Sequence, residues 1–319
     1  MAEQEITATE IKDETLEEYY EQSIVPPFHR CYHIKPFNVV FSKNYPRHHQ
    51  FIQDFEVFKD DVFVSTFPKS GTRWLQELIW CMRHKNGIEK AKSKDLDERV
   101  PHFELPFVMD SKSIEEDKSY LLNGINNLSR PRTLKTHLPF PMLPKGVQEK
   151  GAKIVYCYRN PRDTMLSLFN FMKLIQNYTG TMELYSDVFL KGLTPYYLPY
   201  FSQVLGYWNR RSQENLLVLC YEEMQKDLPS VVRKIASFLD IEMTDEEVLK
   251  LCHHTSFDQM KKNPHVNVLK GLKMYDGQYL NKGKVGQWKD HFSEELIQKF
   301  ELFEREGLKG TDLEFVFEL

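Results

Sequence analysis

Nowhere in this 319-residue chain does an apolar stretch approach the ~20 residues that a bilayer-crossing helix needs. Its opening, MAEQEITATEIKDETLEEYYEQ, is acidic where a signal peptide is basic and then apolar. A cytoplasmic protein with no membrane partner is therefore expected. Cysteine is scarce as well: Cys31, Cys81, Cys157, Cys220 and Cys252 are odd in number and widely spread, which excludes a disulfide framework and suits reduced packing residues. There is little net charge. The balance of 42 basic and 46 acidic residues leaves −4, which removes the basic footprint of a protein that coats nucleic acid, so any bound anion must be held locally. Internal repeats, low-complexity tracts and Gly/Ser linkers are missing too, so one domain is expected.

What is present fits that expectation. A hydrophobic content of 41% over this length is enough to bury the core of one large α/β domain. Residues 1–24 carry eight acids and one lysine with little apolar periodicity, and read as a solvated, partly helical arm, possible to fray, ahead of a domain over 25–319. Val62 to Phe67 is a β-branched and aromatic run ending at Pro68, the pattern of a buried strand. Trp74, Leu75, Leu78, Ile79 and Met82 then recur at helical spacing. The order returns at Lys153–Tyr158, followed by a helical pattern from Thr164 to about Met172, and Leu216–Cys220 is a further strand. Near-continuous apolar strands alternating with helices predict a central parallel sheet flanked by helices, with ligands at the strands' carboxyl ends.

The first strand runs into Thr66-Phe67-Pro68-Lys69-Ser70-Gly71-Thr72-Arg73-Trp74, which sets a lysine, hydroxyls and a glycine at a helix start. Helix-start amides attract phosphate, Gly71 lets backbone approach a ligand, and Lys69 adds a full charge. The loop is P-loop-like without being a Walker A motif, because Glu56 to Phe67 hold no glycine and Lys69 precedes Gly71. Arg159 closes the strand KIVYCY, and Ser167 lies eight residues on, about two helical turns. The stretch TLKTHLP places Lys135 and His137 on one side of a short strand, with His137 a candidate base for a hydroxyl that must lose its proton. Lys282, Gly283, Lys284 and Gly286 follow Tyr279 and suit a loop closing over an anion.

The PKSGT loop, the KTHLP segment, the RNPRDTMLS stretch and the KGxxGxWK loop, in this order, resemble the cytosolic sulfotransferase family from about Phe51 onward. The resemblance implies one α/β domain and 3'-phosphoadenosine 5'-phosphosulfate as donor, adenosine 3',5'-bisphosphate as product and no metal. It implies that Lys69, Ser70, Gly71, Thr72 and Arg73 line the 5' phosphosulfate site. It gives Arg159, Ser167, Asn281, Lys282 and Gly283 to the 3' phosphate, and Trp74, Tyr221, Thr255 and Phe257 to adenine. His137 would be the general base, with Lys69, Lys135 and Ser167 the other catalytic groups. Two positions depart from the family pattern: Arg73 stands where a small hydroxyl residue is usual, and Asn281 replaces an arginine. KDHFSEELIQ, residues 289–298, departs from the family's dimerisation pattern, which leaves a homodimer open.

The expected acceptor is a small, largely apolar hydroxyl compound such as a phenol, steroid or retinoid, with Phe103, Phe171 and Tyr279 joining Lys135 and His137 at its pocket. Loops around residues 29–45, 99–110 and 265–281 would shape that pocket. Three alternatives stay open: a dehydratase acting through a transient sulfate ester of an allylic alcohol, a binding protein with weak catalysis on the same fold, and, least favoured by glycine spacing, a P-loop kinase. His29, Cys31 and His33, and the pair His253 and His254, lack the spacing of a zinc site. Lys261 and Lys262 read as a solvated helix face.

Overall fold

The structure is a computed structural model that describes residues 5–23, 30–105, 124–193, 197–266 and 283–319. Two sheets organise it. An N-terminal antiparallel sheet is built from β1 (Thr7–Glu10), β2 (Tyr32–Lys35) and β3 (Val39–Phe41), with α1 (Glu14–Glu21) between the first two strands. Helix α2 (Tyr45–Gln53) leads to the central strand β4 (Val62–Thr66), which runs through a tight loop into α3 (Thr72–Arg83). Strands β5 (Thr133–Thr136), β6 (Lys153–Tyr158) and β7 (Leu216–Cys220) join β4 in a parallel sheet of order β5-β4-β6-β7. Helix α4 (Pro161–Gln176) follows β6, and α5 (Met182–Leu190) and α6 (Tyr200–Trp208) complete that crossover.

The parallel sheet separates two cores, as strand periodicity requires. Val62, Val64, Val155 and Cys157 face a cluster that includes Leu75, Leu78 and Ile79 of α3. Phe63, Ile154 and Tyr156 alternate to the other face and join the larger cluster that takes in the N-terminal sheet. Helices therefore cover both faces, and all four strands end on one edge. Local rules set the helix starts: Thr244 and Glu247 form the expected capping box, and Ser293 caps the helix Glu294–Gly307.

The reading of residues 1–24 as a solvated arm needs correction for the described part. Leu16 and Tyr19 are fully enclosed, and the Tyr19 hydroxyl donates to Gln176 at 2.6 Å from α1 to α4. The acids hide a narrow apolar set, Ile11, Leu16 and Tyr19, which docks while Glu14, Glu18 and Glu21 stay exposed. All five cysteines are free, and four are buried. Among the described residues, no helix is long and apolar enough to cross a membrane.

Candidate active site

Every strand of the parallel sheet delivers chemistry at its carboxyl edge. After β4, Lys69 and Gly71 both take positive φ, 71° and 85°, which turns the chain sharply into α3. A side chain at Gly71 would meet the Tyr221 ring at 2.7 Å, so glycine is needed there for both conformation and space. Lys69 holds a conformation costly for a lysine, a cost that persists where the surroundings over-determine it. Thr66 and Thr72 share a hydroxyl hydrogen bond of 2.7 Å across the loop.

A cavity of about 600 Å³ opens beside this loop. Of the expected donor residues, Lys69, Gly71, Thr72, Arg73, Trp74, Arg159, Ser167, Tyr221, Thr255, Phe257 and Gly283 line it. Ser70 is fully buried next to them, and its hydroxyl has no hydrogen-bond partner among the described residues. Arg159 Nε and Trp74 Nε1 are buried donors in the same condition. Buried polar atoms are normally paired, so unmatched donors around one cavity fit an anionic nucleotide. Asn281, Lys282 and Tyr279 lie outside the described residues.

Arg159 is held on several sides. Tyr200 donates its hydroxyl to the Arg159 carbonyl, the guanidinium stacks 4.6 Å from the Tyr221 ring centroid, and Nη2 donates to the Lys284 carbonyl at 2.9 Å. Asp163, one turn on, accepts from the backbone amides of Gly286 at 2.8 Å and Trp288 at 3.2 Å. The loop starting at Gly283 is thus fastened to the head of α4 by its own main chain. Gly283 sits against the Phe257 ring, where a Cβ would approach to 2.3 Å.

Positive charge is dense here. Burial first, then Arg73, Lys135 and Arg159, push the Lys69 ammonium down to about 7, and burial lowers Lys135 to about 8. The Lys69 Nζ rests 4.3 Å from the Phe171 ring centroid, which brings the expected acceptor residue Phe171 to the cavity wall. The other expected acceptor aromatic lies elsewhere: Phe103 is fully enclosed and packs on Phe55 and Phe63, with ring centroids 4.9 and 6.1 Å away. Its assignment to the pocket is corrected to the core, since alternation along 102–104 turns Phe103 inward. Arg73 also differs from expectation: although it lines the cavity, its guanidinium donates to the Val266 carbonyl and to Asp97, each at 2.8 Å. Lys261 is exposed, as a solvated helix face requires, and it also lines the cavity, as do Asn170, Gln225, Gln287 and His291. No motif marked them, because fold geometry alone brings them there.

His137 follows β5. Its Nδ1 lies 2.8 Å from the Thr66 carbonyl, which can only accept, so Nδ1 carries the proton and Nε2 keeps a lone pair. Burial first, then Lys135 and His102, hold the imidazole well below its usual range, so it is neutral near pH 7. Sequence reasoning missed Glu104, a fully buried carboxylate. It accepts the His137 backbone amide at 2.6 Å and the Tyr197 hydroxyl at 2.9 Å. Among the described residues one group of three metal-ligating types comes together, Glu77, Cys81 and His254, and there Arg99 already pairs with Glu77 at 2.6 Å.

The family model for the sulfotransferase domain matches residues 59–312. The chain belongs to the sulfotransferase family. It is 35% identical to the luciferin sulfotransferase of Photinus pyralis over 84% of this chain and 77% of that protein. It is 34% identical to mouse sulfotransferase 1B1 over 89% of this chain and 93% of that one. Among solved structures, retinol dehydratase in a complex with retinol and PAP superposes with a TM-score of 0.85 at 26% identity, covering 98% of this chain and 99% of that one. Mouse sulfotransferase 7A1 complexed with PAP gives 0.67 at 28% identity, over 86% of this chain and 93% of that one. The expected family, the α/β fold with its central parallel sheet and the assignment as a sulfotransferase enzyme all hold.

Proposed function

We propose that this enzyme moves a sulfonate group from 3'-phosphoadenosine 5'-phosphosulfate to a hydroxyl of a small, largely apolar acceptor, in the cytoplasm, with His137 as general base. The observation that carries the reading is the fixed tautomer of His137: Nδ1 is committed to the Thr66 carbonyl, so Nε2 stands ready to accept a proton at the same sheet edge as the donor cavity. His137 takes the acceptor's proton as the hydroxyl oxygen bonds to sulfur and the donor's bridging O–S bond breaks. Lys69 and Lys135 would stabilise the negative charge that develops, since fixed cations support such transfer without a covalent intermediate. Arg159, Ser167 and the loop from Gly283 hold the 3' phosphate, while Trp74, Tyr221, Thr255 and Phe257 surround adenine. Asn281 and Lys282 would join the phosphate contacts, and Tyr279 and Phe171 the acceptor.

Of the two departures that motivate a catalytically weak binding protein, Arg73 is anchored on Asp97 and Val266, while Asn281 lies outside the described residues. One second reading keeps support, from the near full-length match to retinol dehydratase: an allylic alcohol is sulfonated and sulfate then leaves. Incubation with donor and a panel of phenols, steroids, retinoids and aliphatic alcohols separates the two by product mass. An ester with stoichiometric adenosine 3',5'-bisphosphate supports transfer, and an alkene supports elimination. Absence of bisphosphate release with every acceptor, from protein that binds the donor, overturns both.

A further inference from the structure

His137 is enclosed by a second set of groups that the proposed reaction does not use. Segment 101–103 bridges onto β5: Phe103 donates its amide to the Lys135 carbonyl at 2.7 Å, and the Lys135 amide donates to Pro101 at 2.9 Å. This parallel bridge sets His102 and Glu104 beside the end of β5. The His102 ring meets the His137 ring edge to face with centroids 5.2 Å apart, and its Nε2 lies 3.0 Å from Glu104 Oε1. On the other side Tyr197 packs edge to face on His137 at 5.4 Å and donates its hydroxyl to the same carboxylate oxygen. Tyr197 holds φ at 68°, a strained value for an aromatic residue, fastened by paired backbone bonds to Val40. Three chain segments thus converge on Glu104, which is fully buried.

The geometry points to Glu104 as the positioning residue of the base: it fixes the His137 main chain, aligns the flanking rings of His102 and Tyr197, and supplies the counter-charge for the imidazolium formed when Nε2 takes the acceptor's proton. This inference rests on the reading of His137 as base. Burial opposes a charge on Glu104, yet His102 and His137 hold it down to about 2, so it stays anionic throughout catalysis. The charged and titratable groups around His137 are Lys135 from β5, His102 and Glu104 from the bridging segment, and Tyr197 ahead of α6, with the Tyr207 hydroxyl facing Glu104. Of these, Lys135 and His102 disfavour the imidazolium, and Glu104 favours it. Acting through the imidazole and its backbone, Glu104 touches no substrate and is not itself a catalytic residue.

The test is Glu104→Gln, which keeps an oxygen to accept both hydrogen bonds and removes the charge. The expected result is a fall in kcat of about tenfold or more, with calorimetric affinity for adenosine 3',5'-bisphosphate within about twofold. The acid limb of the rate profile moves to lower pH, because losing the anion weakens proton binding at His137. Glu104→Asp restores part of the rate. In a His137→Ala background, where residual turnover is measured, the same change adds less than about twofold, since it acts through the imidazole. A kcat for Glu104→Gln within about twofold of wild type, or its full loss repeated in the His137→Ala background, overturns the proposal. Should Glu104→Gln not fold, Tyr197→Phe leaves the carboxylate in place. It is expected to lower kcat roughly three- to tenfold, and unchanged turnover there overturns the proposal instead. Normal turnover in His137→Ala alone defeats the assignment of the base, a result distinct from a Glu104→Gln enzyme that works normally.

Discussion

The proposed donor side and the proposed acceptor side of the site meet at one sheet edge, yet they are built on different principles. The donor side consists of short contiguous segments, each placed by the strand before it: Lys69 to Trp74 after β4, Arg159 after β6 and Tyr221 after β7. Phosphates demand fixed amides and cations, and a strand-to-helix turn supplies them with few sequence options. The acceptor side is assembled from distant segments, with Glu104 and Tyr197 separated by 93 residues and joined by one hydrogen bond. An apolar acceptor asks for shape rather than for particular atoms, and many sequences supply shape. Binding of the donor is therefore separable from turnover of the acceptor, and substitutions on the two sides should show it.

The largest effect separating the sides within the donor cavity is expected at Lys69. Lys69→Ala should lower kcat by about 10²–10³ in steady-state assays, because the ammonium faces charge that develops only during transfer. Next comes Arg159→Ala. It removes the proposed charged partner of the 3' phosphate and the tie to the Lys284 carbonyl, so the dissociation constant for adenosine 3',5'-bisphosphate should rise roughly ten- to a hundredfold by calorimetry. An effect confined to kcat would place Arg159 outside donor recognition.

A smaller effect follows from the Lys69 ammonium at about 7. A depressed ammonium is charged below that value and neutral above it, and an anionic ligand favours the charged form. Binding near pH 8 should therefore take up a proton, seen as a buffer-dependent heat, and affinity should weaken from pH 6 to 9. Lys69→Met should reduce the uptake to the part that Lys135, at about 8, contributes. The mildest functional effect is expected at the docked N-terminal helix: Leu16→Ala should cost about 2–5 kcal/mol of stability in chemical denaturation with kcat unchanged. A change within about 0.5 kcal/mol would restore the solvated arm.

How much the sequence revealed follows the same division. Strands Lys153–Tyr158 and Leu216–Cys220 were legible to the residue because buried parallel strands read as unbroken apolar runs. Most of the residues expected at the donor line one cavity because their segments are local to the strand ends. The N-terminal sheet was not: β1 reads Thr-Ala-Thr-Glu with one half-buried position, and its partners lie beyond α1. Phe103 was misplaced and Glu104 overlooked for one reason. A loop residue's direction is set by its bridge to β5, which no spacing within 99–110 announces.

The measurement that bears most directly on the account is turnover and donor affinity determined side by side in His137→Ala. With the imidazole gone and the donor cavity untouched, kcat should fall about 10²–10⁴ while the affinity for adenosine 3',5'-bisphosphate stays within about twofold. Normal turnover in that variant would contradict the role of His137, and a matching collapse of donor affinity would contradict the separation of the two sides.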